Sequence, residues 1–116
     1  MKRTRITFKK HLVPLILDGL KTMTIRKWSE CGLERGDVVS LVSNGREFAK
    51  AKVTRVRKVR VSQLRDEDAE KAGYPDADTL KAALRRYYRR LREEDSLYKV
   101  EFKLIDVKRD SERHGR

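Results

Sequence analysis

Gly19-Leu20-Lys21-Thr22-Met23-Thr24-Ile25-Arg26 follows the apolar run Leu12-Val13-Pro14-Leu15-Ile16-Leu17 and brings a lysine, two hydroxyls and an arginine together. The pattern predicts a short helix beginning at Lys10 or His11, a stop at Gly19, a turn, and a strand from Thr22 to Arg26. Glycine takes the positive φ of a helix exit at no steric cost. Pro14 falls in the first turn, where a missing N–H is tolerated. Strand alternation places Thr22, Thr24 and Arg26 on one face and turns Met23 and Ile25 to the core. Lys21, at the turn, reaches over the polar face. Such a face suits a phosphate, a nucleobase edge or a carboxylate. It equally suits a solvated strand in which threonine serves β-propensity.

Upstream, Thr4 to Phe8 reads as a strand with Ile6 and Phe8 on one face. Downstream, Trp28 to Leu33 reads as a loop. Trp28 follows Arg26 and Lys27, and it can stack a base or pack at the domain edge. Val38 to Val42 is a continuous apolar strand, and Asn44-Gly45 is a hairpin turn signal. In the next strand Ala49, Ala51 and Val53 alternate inward. The alternation slips before Val56, Val59 and Val61, which calls for a bulge between Thr54 and Lys58. Arg46, Lys50, Lys52, Arg55, Arg57, Lys58 and Arg60 then form a phosphate track or a charged edge that discourages aggregation.

Asp66-Glu67-Asp68-Ala69-Glu70 offers carboxylates to a short helix that ends at Gly73. Asp76 or Asp78 caps a longer helix, Thr79 to Arg92. Its apolar stripe is Leu80, Leu84, Tyr87, Tyr88 and Leu91, with Lys81, Arg85, Arg89 and Arg92 on a flank. Leu97 to Asp106 alternates as a last strand. Residues 1–107 form one domain, and Lys108 to Arg116 is a polar tail expected to be disordered.

The 116-residue chain carries a formal net charge of +12 with 30 basic and 18 acidic residues, so polyanions, nucleic acid first, are the expected partners. Scarce amides and abundant charge also fit a thermophile surface. No apolar run has the roughly 20 residues of a membrane helix, and no signal peptide is evident. A cytoplasmic monomer without membrane, metal or cofactor is expected. The single cysteine, Cys31, has no internal disulfide partner and reads as an ordinary thiol.

The order of these segments resembles the ASCH domain, a small PUA-like family. The resemblance rests on Gly19-Leu20-Lys21-Thr22-Met23-Thr24-Ile25-Arg26, Arg35-Gly36-Asp37-Val38-Val39, Phe48 to Val53, Asp68 to Tyr74, Tyr87-Tyr88 and Val100-Glu101-Phe102. It implies an α+β fold, a mostly antiparallel β-barrel with two or three flanking helices. It also implies a cleft beside the barrel that binds RNA or a nucleotide. The expected contacts are Lys21, Thr22, Thr24, Arg26, Lys27 and Trp28, with Arg46, Lys50, Lys52, Arg85 and Arg89 on the backbone.

One branch of the family hydrolyses N4-acetylcytidine with a lysine, a threonine and a glutamate. The resemblance carries the first two onto Lys21, as base, and Thr24, as nucleophile. The glutamate position matches Ala72, and Asp68, one helical turn away, is the candidate substitute. Binding is therefore the first reading and amidohydrolysis the second. A ribonuclease, with Lys21 and Arg26 on a phosphorane, is the third.

Overall fold

The computed structural model describes residues 2–108. Strand β1 (Arg5–Thr7) leads through a 3-10 turn (Lys10–Leu12) into α1 (Val13–Leu17), and β2 (Met23–Arg26) follows. Strands β3 (Val38–Ser43) and β4 (Arg46–Arg60) form a hairpin. A 3-10 turn (Val61–Gln63), α2 (Asp66–Lys71), α3 (Ala77–Tyr87) and β5 (Ser96–Val107) complete the order. The hairpin turns on Asn44 and Gly45, both at positive φ (52° and 77°), the backbone that Asn-Gly accepts most readily.

The strands make one sheet in the order β1-β3-β4-β5-β2. β1 pairs with β3 in parallel, and the other three pairings are antiparallel. The result is a curled, half-barrel α+β fold with three short helices. β4 supplies the curl. Its pairing with β5 shifts register between Lys50 and Ala51 and again between Val53 and Arg55. Bulges bend a strand and raise its twist. The second shift falls at Thr54, where the valine alternation slips.

That one extra residue redistributes the cations of β4. Arg55 and Arg57 stand opposite Glu101 and Lys99, on the outer face shared with Lys52. Lys58 stands opposite Tyr98 and turns to the other face. The single basic track expected from the sequence is thus divided between two surfaces.

Two apolar clusters flank the sheet. Ile6, Phe8, Val39, Leu41, Ala51, Val53, Val100 and Phe102 fill the inside of the curl. Met23, Ile25, Leu64, Ala69, Leu80, Leu84 and Leu97 pack on the outer side of β2 and β5, under α2 and α3. Strand β2 is therefore covered on both faces. Met23 and Ile25 lie under the helices, whereas Thr24 and Arg26 stand opposite Val100 and Tyr98 and point into the mouth of the curl. Of the polar face expected of this strand, Thr24 is buried and Arg26 half-buried, whereas Thr22 lies exposed just before the strand.

Helix α3 is shorter than its stripe suggests. It ends at Tyr87, because Tyr88 leaves helical dihedrals (φ −113°, ψ 84°). Leu91 N then donates to Tyr88 O, and the turn drops Leu91 into the outer cluster. Arg89 lies past this break and does not continue the flank of Arg85. Strand β5 reaches Val107, and Lys108 N donates to Phe48 O. The disordered tail expected beyond it lies outside the described residues.

Candidate functional site

Lys21 owes its position to the stop at Gly19. With Gly19 at φ +79°, the chain turns back so that Leu20 N and Lys21 N both donate to Leu15 O, at 2.9 and 3.0 Å. Thr22 N then donates to Lys71 O at 2.8 Å and ties the start of β2 to the end of α2. The Lys21 side chain is buried at 5% exposure between these elements. Its Nζ donates to Met23 O and to Ala72 O, both at 3.0 Å. Burial, assisted by the charge of Arg26, lowers its pKa from 10.5 to about 7. The amine is poised between its charged and neutral forms near neutral pH.

Gly73 closes α2 against this lysine at φ +94°, and a Cβ there would stand 3.6 Å from Lys21 Cβ. The space is adequate but the backbone is not. Gly73→Ala should cost about 1–2 kcal/mol in the left-handed conformation. A lower thermal midpoint with an unchanged denaturant slope is the expected result.

Thr24 is 2% exposed, and its Oγ1 accepts from Arg26 Nε at 3.0 Å. Arg26 also donates through Nη2 to Thr7 O at 2.7 Å. Thr7 lies on β1 and Arg26 on β2, the two ends of the strand order, so this side chain bridges the seam of the curl. Its guanidinium carbon lies 5.0 Å from the centroid of the Phe8 ring. Burial lowers the Arg26 pKa as well.

Lys21, Thr24 and Arg26 meet in one cavity of about 570 Å³. Phe8, Leu12, Ile25, Leu80, Ala83 and Leu84 give it apolar walls, joined by Ala72. Tyr74, Tyr87 and Tyr88 add an aromatic side, and Lys9, Asn44 and Gly45 stand at its exposed rim. Lys9 Nζ sits 4.9 Å from the centroid of the Tyr87 ring. No carboxylate is among the described residues that line this cavity. An environment of cations, hydroxyls and aromatic rings without an acid suits an anionic or carbonyl-rich ligand.

The other expected contacts lie elsewhere. Thr22 is exposed outside the cavity lining. Lys27 approaches Asp95 at 3.8 Å. Trp28 packs half-buried against the inner cluster, and the Arg3 guanidinium covers its ring at 3.6 Å. Arg46 is exposed. Lys50 pairs with Glu47 at 3.1 Å, and Lys52 is exposed on the outer face of β4. Arg85 is held by Glu93, which also takes Lys81.

Asp68 does not reach the cavity lining. Its carboxylate accepts from Lys99 Nζ at 2.8 Å and from Arg65 N at 3.0 Å. A short side chain at the start of α2 caps its own helix, which is why one turn of separation from Ala72 does not bring it to Lys21. Nothing in the spacing of Phe8, Lys9 and Tyr74 marks them for the site, and the helical stripe assigns Tyr87 and Tyr88 to packing. Adjacent tyrosines at the end of a helix were the available signal, since such rings seldom all find room in one core stripe.

Among the described residues, no group of His, Cys, Asp and Glu is arranged to hold a metal ion. No helix is long and apolar enough to cross a membrane.

Comparison with solved structures places this geometry. The ASCH domain from Lactobacillus crispatus JV V101 superposes with a TM-score of 0.76 at 18% identity, over 90% of this chain and 82% of that one. A protein from Enterococcus faecalis V583 gives a TM-score of 0.71 at 16% identity, over 93% of this chain and 83% of that one. A ZmASCH mutant protein from Zymomonas mobilis gives 0.68 at 12% identity, over 100% and 82%. At such identities the likeness is one of fold, here PUA-like. No curated protein matches the chain. The family model for the ASCH domain, however, matches residues 4–106, nearly all of the described structure. The chain belongs to the ASCH domain family.

Proposed function

We propose that the cavity binds a nucleotide, either free or as one residue of an RNA. The observation that carries this reading is the cluster of buried Lys21 and Thr24 with half-buried Arg26 at an aromatic cavity whose described lining holds no carboxylate. Protonated Lys21 and Arg26 offer only donors, and one of the two acceptor sites of Thr24 Oγ1 is engaged by Arg26. A ligand that presents acceptors to these cations, ring carbonyls or phosphate oxygens, matches the set. The tyrosines offer flat faces to the base. Uracil, with two carbonyls, fits such a donor set better than adenine, whose exocyclic amine would face donors.

The titration of Lys21 makes the reading testable. An anion is held by the protonated amine, which is present below pH 7 and lost above it. Affinity for uridine monophosphate should fall up to about tenfold per pH unit between pH 7 and 8.5, since each unit removes one decade of the charged form. Adenosine monophosphate should bind more weakly. Lys21→Met should abolish the pH dependence and most of the affinity. Calorimetric titration reads all three, and pH-independent binding shared equally by Lys21→Met would sink the proposal.

Amidohydrolysis is the second reading, favoured by an amine with a pKa of about 7 that lines the same cavity as a threonine hydroxyl. Neutral Lys21 would take the proton of Thr24, and Oγ1 would attack the acyl carbon. The C–N bond would break as the same proton passed to the leaving amine, and water would release the acyl group. Ala72 supplies no carboxylate, and Asp68 is engaged by Lys99. Removal of one positioned acid–base group costs on the order of 10²–10⁴ in rate. Turnover of N4-acetylcytidine should accordingly be weak, rise rather than fall through pH 7, and increase in Ala72→Glu. Robust wild-type turnover lost in Thr24→Ala would instead make this the first reading.

A further inference from the structure

The geometry points to a second anion site, independent of the cavity, on the outer face of β4 and β5: a strip that carries the phosphate backbone of a single-stranded RNA. Lys52 stands directly opposite Lys103 across the two strands, and both are exposed. Arg57 likewise stands opposite Lys99. Like charges in directly opposed positions destabilise a sheet; the second pair has a counter-charge in Asp68, through Lys99, and the first has none.

Three nearby acids are already committed, and Asp106, opposite Lys50, makes no ion pair with the strip. Lys99 takes Asp68 at 2.8 Å, and Glu101, opposite Arg55, takes Lys71 at 3.3 Å. Glu47 takes Lys50 and Lys108. Among the described residues no carboxylate pairs with Lys52, Arg55, Arg57 or Lys103. The bulge at Thr54 keeps Arg55 and Arg57 on the face of Lys52 rather than turning them away.

Protection of an open sheet edge does not account for Lys52, although at Arg55 and Arg57 strand β4 is paired with β5 alone. Lys52 lies where β4 is paired on both sides, with Val38 of β3 and with Lys103 of β5. Its charge therefore guards no edge. Alternate residues along a strand repeat at about 7 Å, a spacing on the scale of successive phosphates. Long flexible cations on a flat sheet neutralise a backbone without reading bases, and the chain's net charge of +12 supplies long-range attraction.

The test is anisotropy titration of a labelled single-stranded oligouridylate with the wild type and with the fourfold variant K52Q/R55Q/R57Q/K103Q, across salt concentrations. Each phosphate contact contributes about 0.7 to the slope of log affinity against log salt. The variant should lose a slope of roughly 3 and at least about 100-fold in affinity at low salt. Its binding of uridine monophosphate should stay as in the wild type. Lys21→Met should show the converse, losing the mononucleotide while keeping most of the salt slope, so failure of the cavity reading leaves this result interpretable.

A second readout comes from Lys103→Glu, which replaces a repulsive pair by an attractive one. It should raise the thermal midpoint by roughly 2–6 °C while weakening the oligonucleotide. An unchanged slope and affinity in the fourfold variant would overturn the inference. So would a loss of binding confined to vesicles of anionic phospholipid, which would make the strip a membrane contact.

Discussion

Between pH 7 and pH 9 the thermal midpoint of the wild-type protein should rise by roughly 5–10 °C, and that of Lys21→Met should stay nearly flat. The cause is the burial of Lys21, which lowers its pKa from 10.5 to about 7. In this window the unfolded chain holds a proton on Lys21 that the folded chain has released. Stability rises with pH wherever the unfolded state binds more protons, by about 1.4 kcal/mol per pH unit for one group. Below pH 7 both states are protonated and the full cost of burying the charge remains. Above 10.5 both are neutral and the cost is gone. Methionine keeps most of the volume and removes the titration. A wild-type rise matched by Lys21→Met would show that some other group drives it. On the proposed reading the two effects are linked, because a lysine that weakens the fold when charged is the one a bound anion would compensate.

Arg26→Ala should destabilise the protein by about 2–3 kcal/mol and remove nucleotide binding, and Arg26→Lys should restore less than half of either. The guanidinium makes two divergent bonds, from Nε to Thr24 Oγ1 at 3.0 Å and from Nη2 to Thr7 O at 2.7 Å. Hydrogen bonds to charged groups contribute about 1.5–3 kcal/mol, with the lower part of that range apt for a half-buried side chain. A lysine has one nitrogen and cannot hold β1 and β2 together while orienting Thr24. Urea unfolding and mononucleotide titration of the three proteins measure both effects. If Arg26→Lys behaved as the wild type, the residue would act through charge alone, and the seam would be held by the apolar cluster.

The local elements were legible because each rests on residues close in sequence. Gly19 stops α1, Asn44-Gly45 turns the hairpin, Asp76 caps α3 through Thr79 N, and the slipped valines mark the bulge at Thr54. The motif Lys21, Thr24 and Arg26 stood out for the same reason: cations and hydroxyls spaced along one strand. Helix α3 was read too long, because the stripe continues in the sequence to Leu91 whereas the chain buries Leu91 through a turn.

Four things depended on contacts between segments far apart. The sequence by itself determined that a basic, polar strand face exists between residues 22 and 26. Only the tertiary structure turned that face into a buried pocket, since β2 is covered by α2 and α3 on one side and by the curl on the other. It also decided that Asp68 serves Lys99 rather than Lys21, and that Arg3 covers Trp28. Above all it set the charge of Lys21. A lysine's pKa follows from the water it loses and the charges that approach it, and both are properties of the assembled fold.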